Sequence, residues 1–342
     1  MADRKHTKMS DIAKELGIST VTVSKALSGQ KGVSEELRAR IRRLADEMGY
    51  QSPADIRRNR QAAGSNIGVL IPKRYLDNHE TFYWKLYQEL VNRAKQKECF
   101  TLLEVLEDSE AMLHHLPKLA LENKVDGIII VGKPINGYAA MLRQQWHKPV
   151  VFLDFYDADI SADSVISNGF FGTYMLTNHL LSLGHRNIGY VGTLLATASI
   201  TDRYLGYQKA LMEQHIPVRL EWVVDDRDSE GKNLTIKLPA TMPTAFVCNC
   251  DYIAALLIQT LLDAGYRVPQ DISVVGFDNY LMPGLCDIGI TTYAVDIAEM
   301  ARMALRILLN KLTGQPYRSG LQMTDGYLVE KESTSRCAGE AR

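Results

Sequence analysis

The sequence predicts a small all-α head followed by a much larger α/β body built on parallel sheets. Three observations point there. Residues 9–48 read as short helices separated by tight turns. A proline and a basic stretch follow, Ser52-Pro53 to Arg60, and then Ala62-Ala63-Gly64-Ser65-Asn66, which is the composition of a linker. From Ile67 onward, apolar β-branched runs alternate with helix-length amphipathic stretches. Strands alternating with helices build parallel sheets through right-handed βαβ units.

In the head, take MSDIAKELGISTVTVSKALS, residues 9–28. Ala13 is the small residue that a close helix crossing requires, and Gly17, four positions on, can take the positive φ of a sharp turn. Ile12, Leu16, Ile18, Val23 and Ala26 would pack the pair, and Ser19 can cap the second helix. That leaves Thr20, Val21, Thr22, Ser24 and Lys25 exposed at its start, where a recognition helix meets base edges. A third helix begins at Ser34, with Glu35 and Glu36 in its first turn and Ile41, Leu44 and Met48 as its apolar face. A plain three-helix bundle would share the packing residues. The Ala/Gly spacing and the polar face favour DNA binding over it.

In the body, strand-like runs fall at Ile67–Ile71, Leu102–Val105, Val125–Val131, Val150–Leu153, Ile188–Val191, Ala245–Val247 and Ile272–Phe277. Amphipathic stretches of helical length lie near 83–97, 109–123, 170–183, 203–214, 252–264 and 296–312. Nearly continuous apolar strands such as Gly127-Ile128-Ile129-Ile130-Val131 suit sheets covered on both faces.

Composition narrows the class further. A hydrophobic fraction of 46% with 23% charged residues over 342 positions excludes a mainly disordered chain. No apolar run reaches the roughly 18–20 residues that a bilayer span needs. The start MADRKHTKMSD has no apolar core behind its charges, so it reads as no secretory signal and the chain as cytosolic, with no membrane partner. Five cysteines, at 99, 248, 250, 286 and 337, form no CxxC pair, which argues against a disulfide framework or structural zinc. The net charge of −1 conceals an asymmetry: residues 1–60 hold 13 Lys and Arg against 8 Asp and Glu, and the remainder hold 26 against 32. A basic head on a mildly acidic body suits a head that meets a polyanion, although a solvated surface helix gives the same charge.

Several other patterns lead nowhere. Asp226-x-Asp228-x-Glu230-Gly231 imitates the start of a calcium loop, but its twelfth position is Lys237 rather than Glu. Cys248 and Cys250 at strand spacing read as structural thiols, with no nearby His to share a metal. His179 and His185 read as structural, and His114-His115 as solvent-facing. Without a GxSxG, GxGxxG or P-loop sequence, neither catalysis nor a cofactor is expected.

The segment SDIAKELGISTVTVSKALSGQKGVSEELRARIRRLADEMGY resembles the amino-terminal domain of the lactose-repressor (LacI/GalR) family. VDGIIIVG, HLLSLGHRNIGYVG, DRYLGYQKAL, VPQDISVVGFDN and LVEKEST extend the resemblance through the body in family order. It implies a helix-turn-helix domain over 1–50, a hinge over 51–65 and an effector-binding and dimerisation body over 66–342. The body should resemble periplasmic binding proteins, with lobe 1 at about 66–165 and 294–322 and lobe 2 at about 166–293 and 323–336. The implied function is sequence-specific transcriptional regulation, as a repressor whose homodimer binds pseudo-palindromic double-stranded DNA and responds to a small molecule between the lobes.

By this resemblance Thr20, Val21 and Lys25 hold the main base-reading positions, while Thr22, Ser24 and Ser28 lie near phosphates or the groove wall. Lys25 can donate to guanine acceptors, and Val21 or the Thr20 methyl can touch a thymine methyl. In the hinge, Arg57, Arg58 and Arg60 are DNA-contacting candidates. The family's minor-groove leucine falls on Arg60 and an alanine on Asp55. An arginine can enter a narrowed minor groove electrostatically, but it cannot unstack a base step as an apolar wedge does.

In the body, Arg203 and Asp278 hold the family's effector-binding arginine and aspartate, and each can serve two hydroxyls of a polyol. An ion pair between the lobes is the competing role for them. Phe82, Tyr83 and Trp84 fall at aromatic effector contacts; three consecutive aromatics cannot all face one core, so some should line the cleft. Asp251 is kept where many members have Asn-Asp, but Cys250 replaces the amide, and Asn168 stands where an aspartate is common. Charges of both signs and abundant aromatic surface favour a neutral carbohydrate effector. A nucleobase or a sugar phosphate is the alternative, and a sugar-binding protein or enzyme sharing only the body fold is the rival class. The tail SRCAGEAR carries no leucine heptad, so a dimer is expected rather than a tetramer.

Overall fold

A computed structural model of the chain describes residues 8–337 except 29, 31, 49, 51–63, 77–81, 108, 110–112, 158–159, 229–233 and 281–283. The chain divides into two compact units, residues 1–63 and 64–342.

The head is three helices, α1 (Met9–Leu16), α2 (Thr20–Leu27) and α3 (Glu35–Glu47). Gly17 ends α1 in the left-handed region at φ 65°, and the Ile18 N–H turns back to the Ala13 carbonyl at 3.0 Å. Ser19 then caps α2, its Oγ accepting from the Thr22 N–H at 3.1 Å. Ile12, Ala13, Val23, Ala26, Ile41 and Ala45 form the buried centre, with Leu16, Ile18, Leu44 and Met48 packed against it.

In the body the strands are β1 (Asn66–Pro72), β2 (Phe100–Leu106), β3 (Gly127–Val131), β4 (Val150–Leu153), β5 (Asp163–Ser167), β6 (Ile188–Val191), β7 (Val223–Val224), β8 (Ala245–Cys248), β9 (Ser273–Asp278), β10 (Thr291–Ala294), β11 (Leu321–Thr324) and β12 (Tyr327–Val329). The helices are α4 (Phe82–Gln96), α5 (Lys118–Leu121), α6 (Tyr138–Gln145), α7 (Gly169–Ser182), α8 (Ala198–Glu213), α9 (Asp251–Asp263) and α10 (Ile297–Leu312). One sheet has the order β11-β5-β4-β3-β1-β2 and is parallel throughout. The other has the order β12-β10-β9-β8-β6-β7 and is parallel except for the β10–β12 edge. Each sheet carries its own lobe. The chain passes between them after β5, after β10 and after β11, so β5 carries lobe 1 as far as Ser167.

Where elements differ from the sequence reading, polarity or packing is the cause. β5, reading Asp-Ser-Val-Ile-Ser, and the short strands β7, β10, β11 and β12 lack the long apolar runs by which strands are recognised. Near 109–123 the helix shrinks to α5, entered through Pro117, while Leu113, Leu116 and Leu119 pack on the lobe 1 core. α8 begins five residues before 203, because the Thr197 Oγ1 caps the Ile200 N–H at 3.1 Å. No helix among the described residues is long and apolar enough to cross a membrane.

Candidate functional site

The first turns of α2 present side chains outward. Thr20, Val21, Ser24 and Lys25 are exposed, Val21 by 60%. Thr22 is half-buried, and its hydroxyl lies 2.9 Å from the Ser19 hydroxyl. The Ser28 hydroxyl donates to the Ser24 carbonyl at 2.7 Å, which closes the last turn of α2. Arg57, Arg58 and Arg60, like Asp55, lie outside the described residues.

Between the lobes of the body lies a cleft of about 480 Å³, open to solvent. Lobe 1 contributes Tyr75, Tyr83, Lys133, Asp154, Phe155 and Tyr156; lobe 2 contributes Gly169, Thr197, Ala198, Ser199 and Asp202. Tyr75 and Tyr83 stack with ring centres 4.2 Å apart, and Tyr83 and Asp154 line the same wall of the cleft. Of the three consecutive aromatics, only Tyr83 lines the cleft. Phe82 meets Tyr83 edge-on at 5.5 Å, and Trp84 lies against Tyr87 at 5.4 Å. The buried face of α4 belongs instead to Leu86, Leu90 and Ala94. The Tyr156 hydroxyl reaches Asp202 across the cleft at 3.3 Å.

Arg203 and Asp278 meet, but inside lobe 2, and neither is among the residues that line the cleft. Arg203 Nη2 lies 3.5 Å from Asp278 Oδ1, and Nη1 donates to the Asn249 carbonyl at 2.5 Å. The guanidinium centre sits 3.9 Å from the centre of the Phe277 ring, while its Nε is buried with no hydrogen-bond partner. The interlobe charge partner is Asp154, which the sequence reading did not single out. Burial pushes Asp154 up to about 6 despite the opposing pull of Arg203, and pushes Asp278 up to about 7, with the Asp154 charge adding to the rise. Asp154 (φ 65°), Asp278 (φ 106°) and Asn279 (φ 51°) all hold backbone conformations costly for side-chain-bearing residues.

Asp251 is placed differently from expectation. It opens α9, its Oδ2 accepts from the Tyr280 N–H at 2.9 Å, and it is absent from the cleft lining. Its Oδ1 approaches β9 at Gly276, 2.1 Å from where a Cβ would stand, so any side chain there would push the Asp251 carboxylate off its place. Asp226, passed over as part of a failed calcium loop, is a hub. Fully buried, it accepts from the Thr193 N–H and from Asn249 Nδ2, both at 2.8 Å, and pairs with Arg227 at 2.6 Å. Those bonds hold its carboxyl below the usual range despite burial and tie together the loops after β6, β7 and β8. Asn168 caps α7 through the Phe171 N–H at 3.2 Å and donates to Asp325 at 3.0 Å. His185 bridges Thr244, Ser273 and the Ser335 carbonyl at 2.9–3.1 Å, a structural position.

Comparison with known proteins follows the same division of the chain. The profile described as bacterial regulatory proteins, lacI family, matches residues 8–52, and that of a periplasmic binding protein-like domain matches 177–334. The transcriptional repressor PurR of Pectobacterium carotovorum is 30% identical over 334 residues, covering 95% of this chain and 96% of that protein. The chain belongs to the LacI family. It is a DNA-binding transcriptional regulator rather than an enzyme. The ribose operon repressor of Haemophilus influenzae is 28% identical over 310 residues, 89% of this LacI-family chain and 91% of that protein. In fold, the chain is similar to the lac repressor dimer bound to operator and the anti-inducer ONPF, with TM-score 0.65 and 24% identity over 97% of this chain and all of that one. The regulator CelR in its cellobiose complex gives 0.68 and 19% over 96% of this chain and all of that one.

Proposed function

We propose that this regulator is a repressor that binds a pseudo-palindromic operator as a homodimer and is controlled by a small neutral carbohydrate held between the lobes of its body. The observation that carries the effector reading is the cleft itself. A stacked tyrosine pair on one wall offers a face to the C–H side of a sugar ring, and Asp154, Asp202, Ser199 and Thr197 offer hydroxyl partners from both lobes. Charge supports neutrality. Arg203 is engaged by Asp278 and Arg227 by Asp226, which leaves Lys133 as the lining cation opposite Asp154 and Asp202. A phosphate would want several uncommitted donors. Relatives of this chain include a ribose operon repressor, and structural neighbours include regulators with bound cellobiose and bound ribose.

On DNA, Thr20, Val21 and Lys25 are assigned to base edges, with Thr22, Ser24 and Ser28 toward the backbone. Arg57, Arg58 and Arg60 belong to the joining segment. A single head offers too little surface for tight specific binding, so two are needed. The reading also divides the chain at about 50 and 65, with Asp154 and Tyr83 of lobe 1 facing Arg203 of lobe 2.

The test is calorimetry with neutral mono- and oligosaccharides, sugar phosphates and nucleobases, together with operator selection from a random duplex pool. A neutral saccharide should bind and change operator affinity, and Asp202→Ala, which removes a hydroxyl partner from the cleft wall, should weaken that response at least tenfold. Binding of a nucleobase or an anionic sugar with neutral saccharides silent would overturn the carbohydrate assignment. An Asp202→Ala protein with unchanged ligand affinity would overturn the cleft.

A further inference from the structure

Arg38, near the start of α3, is only 6% exposed although it carries a full charge. A guanidinium is tolerated in such a position only where its N–H groups find acceptors. Those acceptors belong to the end of α2 and the turn behind it. Nη1 donates to the carbonyls of Ala26 at 3.0 Å and Lys25 at 3.3 Å. Nη2 donates to those of Gln30 at 2.8 Å and Val33 at 3.5 Å. Carbonyls in the last turn of a helix lack intrahelical donors, and the negative end of the helix dipole favours a cation there.

The clamp closes on Lys25. Its carbonyl accepts from Arg38, from the Gln30 N–H at 3.0 Å and from the Ser28 hydroxyl at 3.4 Å. The residue assigned to reach a guanine therefore has its own peptide group held by donors from three positions. A planar guanidinium with five N–H groups can span such a set of carbonyls, whereas an ammonium is a single point on a flexible stem.

We propose that Arg38 is a positioning residue for DNA reading, an inference that rests on the base-reading assignment of α2. By holding the end of the helix and the chain that leaves it, Arg38 keeps Thr20, Val21 and Lys25 in one orientation. Phosphate contacts survive a small shift of the helix, while directional contacts to base edges do not. Loss of Arg38 then costs discrimination between operator and unrelated DNA more than affinity for DNA as such.

The experiment uses the full chain with Arg38→Met and Arg38→Lys, each checked by circular dichroism for a folded head. Affinity is measured for the operator selected by the unaltered protein and for an unrelated duplex of the same length at the same salt. Arg38→Met should lose about tenfold or more on the operator and less than about threefold on the unrelated duplex, with Arg38→Lys between it and the parent. Proportional loss on both duplexes, an unchanged ratio, or an unfolded head in both variants would overturn the proposal in favour of a role in folding alone. Lys25→Ala is measured alongside. If it leaves the preferred sequence unaltered, the base-reading assignment fails whatever Arg38 does.

Discussion

The exposed end of α2 and the interlobe cleft handle polar groups in opposite ways. On α2 the side chains assigned to DNA stand in water, and the bonds that shape them come mostly from three or four residues away: Ser19 to Thr22, Ser28 to Ser24. Behind the cleft, the charges that set it up are buried and already committed, and their partners are distant in sequence. Arg203 bonds at residue 249 and pairs with 278. The contrast follows from the partner each must meet. A duplex brings its own acceptors to a rigid protruding surface, so the protein need only present donors there. A ligand of a few hundred cubic ångströms must be desolvated, so its site has to be held in place, and kept solvated by protein dipoles, before it arrives.

If that contrast is right, the body should fail through long-range contacts and the head through local ones. The largest effect is expected at Gly206 in α8, where a Cβ would stand 2.1 Å from the Phe170 carbonyl oxygen of α7. The obstacle is backbone, which cannot rotate away, so Gly206→Val should destabilise the body by about 3 kcal/mol in urea unfolding. A loss below about 1 kcal/mol would mean the two helices can separate freely.

A smaller effect, with a definite pH window, is expected at Asp278. Its folded-state value of about 7 stands above the ordinary 3.8, so the folded protein holds an extra proton between those limits. Stability from this group is full below pH 3.8 and is lost as pH rises toward 7. Asp278→Asn removes the titration, whatever constant cost it adds through Arg203. Between pH 5 and pH 7 the parent should therefore lose about 2 kcal/mol relative to the variant. Parallel stability curves over that interval would show that the carboxyl is not held in the folded protein as the geometry implies.

The smallest effect belongs to the head. Ser19→Ala removes the cap on α2 and should cost about 1 kcal/mol. Faster hydrogen exchange should be confined to the amides of residues 20–24, with the melting of the body unchanged. A change spreading into the body would erase the contrast drawn above.

Much of this protein was determined within short windows of its sequence. The Ala13/Gly17 spacing, the Ser19 cap and the apolar positions of the head needed only the helical repeat and the conformational freedom of glycine. The alternation of apolar strands with amphipathic helices was enough for two covered parallel sheets, because burial on both faces leaves continuous β-branched runs. Tertiary structure alone decided which polar residue meets which. It made Tyr83 rather than Phe82 or Trp84 the cleft aromatic, turned Asp251 against Gly276, made Asp226 a hub of three loops, and set Arg38 on carbonyls 5 to 13 residues away. The reason is physical. Helix repeat, caps and turns are fixed by atoms a few residues apart, whereas a buried charge must be satisfied by whatever acceptor the packing of distant segments brings within about 3 Å.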